Sequence, residues 1–410
     1  MTTITDPGEA AEPTEYRERR RRAAAEAAAR GLAALIVTDP ANLYYLTGYN
    51  AWSFYVPQAM LIAADDASTL LVLRGMDAHG AHRTAELDRE EIVGYPEWAV
   101  HRPELHPFDW VADELRRRGW AARLAGGTVG IDTDADHFSV RSYHALQGGL
   151  PEWNLTGDRG LVNWQRVVKS DAEIALMRKA GLIASNAMRV AADAIAAGVP
   201  QHEAAAAIAH AQASGVDGAD GDYPAIMPLL ATGEAADTPH LTWSARRFVE
   251  GESVTVELAG VHRRYHAPLA RTVAVGRVPA AVEELAAITA EGLTRTIEAI
   301  APGRTSGDVA EVYWRFLERH GLAKESRLGY SIGIGFPPDW GERTVSIRRG
   351  DDTVLRPNMT FHVIAGMWLD GIGCEFSESL RVAEHGAELF TDAPRELIRR
   401  PAGSGGLRAV

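Results

Sequence analysis

The stretch Val254-Thr-Val-Glu-Leu-Ala-Gly-Val-His-Arg-Arg-Tyr-His-Ala-Pro-Leu-Ala-Arg-Thr-Val-Ala-Val-Gly276 places a carboxylate, Glu257, inside an apolar β-run. β-branched residues fill both flanks, so Val254–Val261 and Thr272–Val275 read as two strands joined by a short polar segment. Gly276 closes the second run. A buried Glu costs on the order of several kcal/mol unless something compensates it. The fold must therefore supply Glu257 with a partner. One candidate is an arginine such as Arg271 in a buried ion pair; the other is a ligand. His262 and His266 lie within the reach of the same hairpin.

Around this segment the pattern divides in two. Glu15–Arg30 is Ala- and Arg-rich and reads as a helix ending at Gly31. Leu32–Thr38 reads as a buried strand, and Ala59–Ala64 with Ser68–Leu73 as a hairpin. Gly75–Ala85 starts a helix, and Glu91–Val93, Trp110–Arg118 and Thr128–Asp132 continue a strand–helix alternation. After Asn163–Lys169, apolar residues at Ile174, Met177, Ala180, Ile183 and Ala187 give Asp171–Ala197 helical spacing. Gln201–Ser214, Pro279–Ile300 and Ser306–Gly321 read as further helices, the last with Ser306 as N-cap. Gly329–Gly335 is Gly-rich, and Met359–Met367 and Gly373–Val382 are β-runs. The expected division is a disordered tail at 1–20, an α/β domain at 21–160, an α+β domain at 161–395, and a flexible tail at 396–410.

Composition narrows the class. With 46% hydrophobic residues in 410, large cores are affordable, yet no apolar run of about 18 residues offers a membrane span. The acidic, Pro-containing Met1–Glu15 lacks the features of a secretory signal. A formal charge of −13 argues against nucleic acid or an anionic membrane as partner. The single cysteine, Cys374, excludes an internal disulfide framework and fits a cytoplasmic setting. Gly329–Gly335 has no Lys-Ser/Thr and no βαβ context, so nucleotide binding is rejected.

Several pieces in order resemble the pita-bread family of methionine aminopeptidases, Xaa-Pro peptidases and creatinases. These are Asn42–Gly48, Val167-Val-Lys-Ser170, Thr238-Pro-His240 and Ala270-Arg-Thr272, spanning residues 30–392, nearly the whole chain. The resemblance implies an α/β creatinase-like N-terminal domain and an α+β pita-bread C-terminal domain. The peptidase branch holds two divalent metals with two Asp, one His and two Glu. On this chain those positions fall at Glu257, Pro268, Tyr330, Ile364 and, approximately, Ser377. The expectation is no catalytic metal and no cofactor.

Within that family Asp222-Tyr-Pro-Ala-Ile-Met-Pro228, Pro239-His-Leu-Thr-Trp243, Tyr265-His-Ala-Pro268 and Gly333-Ile-Gly-Phe-Pro-Pro-Asp-Trp-Gly-Glu342 look like the ectoine hydrolase branch. That branch implies a homodimer acting on a small zwitterionic substrate, a cyclic amidine opened to N-acetyl-diaminobutyrate. Carried onto these positions, Glu257 is the nucleophile or the base and His240 the proton shuttle, with His266 as second choice. Tyr330 offers a hydroxyl to developing charge. A guanidinium is expected on the substrate carboxylate, and Arg271 is one of several arginines that could supply it. Trp243, Phe336 and Trp340 suit an aromatic wall, Glu342 and Glu375 a counter-charge to an amidinium, and Trp52 and Tyr55 a cap on a partner subunit's pocket. The competing readings are a creatinase-like or other amidine hydrolase, an Xaa-Pro peptidase with rearranged ligands, and a non-catalytic osmolyte-binding protein.

Overall fold

Short apolar strands alternating with helices build the first of two compact units in the computed structural model, which describes residues 13–401. The units are Met1–Arg166 and Val167–Val410. In the first, α1 (Pro13–Ala29) precedes β1 (Ala34–Val37) and α2 (Pro40–Thr47); β2 (Ala59–Ala63) and β3 (Thr69–Arg74) follow, then α3 (Gly75–Thr84) and β4 (Ile92–Tyr95). The unit closes with α4 (Pro107–Arg117), α5 (Trp120–Arg123), β5 (Thr128–Ile131), α6 (Val140–Gly149), β6 (Asn154–Gly157) and α7 (Leu161–Gln165). The six strands form one mixed sheet in the order β4-β3-β2-β1-β5-β6. Its core includes Ile36, Leu61, Val72, Phe108, Leu115 and Ile131.

The second unit is a curved antiparallel sheet backed by helices. α8 (Asp171–Ala194) and α9 (Gln201–Ser214) lead to β7 (Leu229–Thr232), then to the hairpin β8 (Ser253–His262) and β9 (Tyr265–Val275). α10 (Ala280–Glu298) and α11 (Ser306–Arg319) follow. The unit ends with β10 (Gly329–Phe336), β11 (Asp339–Ile347), β12 (Thr360–Leu369), β13 (Ile372–Ala383), β14 (Gly386–Leu389) and β15 (Ile398–Arg400). The main path is β14-β13-β12-β10-β9-β8-β7, with β11 on β10 and β15 on β9. Apolar faces of α8 and α9 pack on β8 and β9 through Ala184, Ala187, Met188, Val256 and Leu258. Gly260 makes that approach possible: a Cβ there would lie 2.1 Å from the Ala180 carbonyl oxygen and 2.3 Å from the Ala184 nitrogen.

Several boundaries differ from those read in the sequence. Residues 1–12 and 402–410 of the two expected tails lie outside the described residues. Residues 13–20 are helical because Ala23 and Ala27 are core residues, and Arg19, itself buried, stacks on Tyr45 at 4.2 Å and donates to its carbonyl. Near the other end Ile398 pairs with Val273, so part of the expected C-terminal tail is a strand. The N-cap of α11 is Thr305, in a capping box with Asp308, rather than Ser306.

The largest difference concerns the opening hairpin. β9 begins at Tyr265, so the polar segment between the two runs is itself strand, and His262 pairs with Tyr265 across a two-residue turn. Both turn residues, Arg263 and Arg264, have positive φ (49° and 64°), the conformation that two-residue hairpins require. The usual Asn-Gly chemistry is absent. Instead the Arg264 side chain holds the turn: it donates to the carbonyls of Gly335 and Tyr223 at 2.6 Å each and stacks on Tyr223 and Phe336. Among the described residues no helix is long and apolar enough to cross a membrane.

Candidate active site

β13 crosses the face of the β8–β9 hairpin that carries Glu257. Thr272 Oγ1 accepts from the Glu375 N–H at 2.8 Å and donates to its carbonyl at 3.1 Å. Ser377 Oγ accepts from the Ala270 N–H at 2.6 Å, and Ser379 Oγ donates to the Pro268 carbonyl at 2.6 Å. Alternation along a strand therefore turns Thr272 and Ala270 toward β13, and Glu375, Ser377 and Ser379 toward the hairpin. Glu257 lies opposite Ala270 in the register and shares its face. The Glu257 side chain thus looks across to β13.

Glu257 is 5% exposed, and among the described residues nothing donates a hydrogen bond to its carboxylate. Burial pushes its carboxyl well above the usual carboxylate range, and the charges of Glu375 and Asp339 push the same way. Glu375, 2% exposed, is likewise without a hydrogen bond to its carboxylate; burial raises it to about 7, against the pull of Lys324. The Lys324 ammonium is spent on the Gly366 carbonyl (2.6 Å) and Ser326 Oγ (2.8 Å), beside the Trp368 ring. Burial lowers it to about 8. This cluster of acids has more negative charge than it has local donors.

Tyr330 is the hydroxyl at this cluster. Trp340 Nε1 donates to its oxygen at 2.9 Å, and His362 Nδ1 lies 3.0 Å from the same atom. His362 Nε2 is 2.7 Å from Ser377 Oγ. Two proton arrangements complete this chain. In one, Tyr330 donates to His362, which donates to Ser377. In the other, Ser377 donates to His362, His362 donates to the Tyr330 oxygen, and the tyrosine proton is left for a ligand. Burial holds His362 down at about 3, so its imidazole is neutral. Burial, with the nearby charge of Glu257, pushes the Tyr330 phenol well above its ordinary value.

The structure brings Glu257 and Tyr330 together and leaves most of the other expected residues elsewhere. His266 is fully buried and locked: its Nε2 accepts from the Ala225 N–H at 3.0 Å, so the proton sits on Nδ1 and points to the Arg264 carbonyl at 2.9 Å. Burial and the adjacent Arg264 charge hold it well below its ordinary value. It is a structural neutral imidazole and not a shuttle. Arg271 is not a substrate clamp. Its fork is saturated by Glu378 Oε1 (2.6 Å) and by the carbonyls of Pro394, Ala270, Ser377 and Ala393. Glu342 is taken by Lys169 in a fully buried pair at 2.7 Å. Only a glycine at 333 leaves room for that pair, since a Cβ there would lie 2.4 Å from Glu342 Oε1.

The aromatic expectations divide in the same way. Trp340 is fully buried and acts on Tyr330. Phe336 is buried under Arg264. His240 and Trp243 lie on the exposed segment 240–247. Trp52 and Tyr55, each 58% exposed, stand on the N-terminal unit, where Trp52 meets Phe54 and Tyr55 accepts from Arg74. Glu375, offered by the sequence as a counter-charge beside Glu342, does lie at this cluster, whereas His362 and Lys324 are the site residues that sequence reasoning passed over. A histidine in the apolar run Met359–Met367 is the same signal that singled out Glu257.

Metallopeptidase family M24 matches residues 175–384, and the Creatinase/Prolidase N-terminal domain matches residues 19–168. The chain belongs to the creatinase and M24 peptidase family. Its relatives in that family include the ectoine hydrolase of Halomonas elongata, 39% identical over 94% of this chain and 97% of that one. An uncharacterized hydrolase/peptidase of Sinorhizobium fredii is 40% identical at the same coverage. Among solved M24-type structures, the prolidase of Thermococcus sibiricus has a TM-score of 0.80 at 20% identity, covering 94% of this chain and 99% of that one. Dipeptidase PepE of Mycobacterium ulcerans gives 0.76 at 24% identity, covering 95% and 99%. The fold is the pita-bread fold.

The residues at the family's metal positions do not fit a dinuclear centre. Pro268 and Ile364 have no ligand atom in their side chains. The Ser377 hydroxyl is committed to Ala270 and His362, and the Tyr330 oxygen to Trp340 and His362. Among the described residues no group of three or more His, Cys, Asp or Glu side chains is disposed to hold a metal ion.

Proposed function

We propose that this hydrolase opens the ring of ectoine to N-acetyl-L-2,4-diaminobutyrate without a catalytic metal. The observation that carries the reading is Glu257: a buried carboxylate with no donor, facing a second carboxylate, in a pocket whose metal positions hold Pro, Ile, Tyr and Ser. Such a group calls for a cation, and a cyclic amidinium supplies one together with N–H donors. The 39% identity to an ectoine hydrolase supports the choice of amidine.

In this reading the Glu257 proton passes to solvent as the cation binds. The carboxylate then either takes a proton from a water that attacks the amidine carbon, or attacks that carbon itself. Either way one ring C–N bond breaks; after direct attack, water cleaves the acyl-type adduct and releases Glu257. Tyr330, its oxygen pinned by Trp340 and His362, offers its O–H to the charge that develops. A proton must still reach the departing nitrogen. His266 and His362 have both ring nitrogens engaged, and the family resemblance gives the proton-carrier role to His240, on the exposed segment. The wild-type protein, stripped with a chelator and incubated with ectoine, should yield the acyclic product by proton NMR. An unopened ring under those conditions sinks the reading, and a panel including creatine and an Xaa-Pro dipeptide then separates the alternatives.

A further inference from the structure

We propose that Glu375 is the second wall of the cation subsite, so that one amidinium is held between Glu257 on β8 and Glu375 on β13. The inference rests on the amidine reading above and gives the counter-charge role to Glu375 rather than to Glu342, the other carboxylate the sequence offers, which pairs with Lys169.

Geometry is the first support. Thr272, Ala270 and Pro268 on β9 are tied in turn to Glu375, Ser377 and Ser379 on β13. Glu257 and Glu375 therefore project from facing surfaces, two residues apart along this ladder. The backbone of Glu375 is held at both its N–H and its carbonyl by one side chain, Thr272, which fixes where the carboxylate starts.

Satisfaction is the second. Glu375 is 98% buried, and among the described residues nothing donates to its carboxylate. Lys324, the cation whose charge acts on Glu375, directs its ammonium to the carbonyl of Gly366, the residue opposite Glu375 on β12, and to Ser326. Lys324 moderates the charge of Glu375 without occupying its hydrogen-bonding positions. The raised carboxyls of both glutamates are what two facing acids without a shared cation should show. A planar monocation with two N–H groups on opposite edges, as in a cyclic amidinium, would give each carboxylate one donor.

The test is charge selectivity in binding by the full-length protein. The probes are 2-methyl-1,4,5,6-tetrahydropyrimidinium, a cyclic amidinium, and δ-valerolactam, a neutral ring of similar size, each titrated calorimetrically. Glu375→Gln should weaken the cation at least tenfold and leave the lactam within about twofold, with Glu375→Asp recovering part of the loss. An equal loss for both probes, or no loss for the cation, overturns the proposal, as does a wild type that does not prefer the cation. If Glu375→Gln fails to fold, Glu375→Asp alone serves: it should weaken the cation at least threefold and leave the lactam within about twofold, and unchanged affinity for the cation overturns the proposal. The outcome is separable from the function itself. A wild type that prefers the cation through Glu375 but leaves ectoine closed refutes the hydrolase reading alone. Ring opening with a Glu375-independent affinity refutes this subsite alone.

Discussion

His362 Nε2 lies 2.7 Å from the Ser377 hydroxyl, one strand over, and that contact anchors the chain ending at Tyr330. Ser377→Ala removes the anchor without touching the tyrosine. It also leaves the Ala270 N–H unpaired, which costs about 1–3 kcal/mol. The expected result is a modest drop in melting temperature with a fall in kcat that Tyr330→Phe reproduces. A Ser377→Ala enzyme with unchanged kcat would separate the anchor from the reaction.

Glu257→Gln should abolish ring opening, lowering kcat by at least about 10³-fold, as expected when a nucleophile or base is removed. Its melting temperature at neutral pH should match or exceed that of the wild type, because a buried acid is replaced by a neutral isostere. Product formation by NMR and a thermal melt by circular dichroism are the two measurements. Retained turnover would make Glu257 a structural residue.

Arg271→Met leaves Glu378 buried without its fork and should destabilise the protein by about 3–5 kcal/mol, read as a shifted denaturation midpoint. A stable variant with a raised KM would restore Arg271 to the substrate.

The share of the stability that comes from Glu375 and Glu257 should fall as pH rises, while that from the buried neutral His266 and His362 rises toward pH 6.5. The Glu375 carboxyl is raised in the folded state from 4.5 to about 7, and Glu257 is raised in the same direction. Acids raised on folding contribute stability that is complete below about pH 4.5 and is lost as pH passes 7. The check is chemical denaturation of the wild type against Glu375→Gln between pH 5 and 8, over which the difference attributable to Glu375 should reach on the order of 2–3 kcal/mol. The slope should diminish in Glu375→Gln; an unchanged slope would assign it to other groups.

The parts of this fold legible in the sequence are those where pattern and burial agree. The helix Asp171–Ala194 announces itself by spacing, and Glu257 by being charged among valines. β9 was less legible because its first residues, Tyr-His-Ala-Pro, look like a loop; their polar groups are satisfied from other elements, His266 by Ala225 and the Pro268 carbonyl by Ser379. β10 hides among glycines whose missing side chains make room for Glu342 at Gly333 and for His266 at Gly335. Arg271 illustrates a limit of another kind. A strand arginine needs a carboxylate, but the sequence does not say whether that carboxylate is Glu378 or a substrate.

The ladder joining Pro268, Ala270 and Thr272 to Ser379, Ser377 and Glu375 has a consequence for the routes open to this chain. A protein that had merely dropped its metal ligands could regain them one substitution at a time. Here the old coordination positions have been rebuilt as joints between strands. Replacing Ser377 with an acid takes the acceptor from Ala270 and the partner from His362 before any ion is gained, and replacing Pro268 alters the strand that Ser379 grips. A route from this chain to a metallopeptidase's ligand set runs through less stable proteins, because the pocket is held in place by its own masonry.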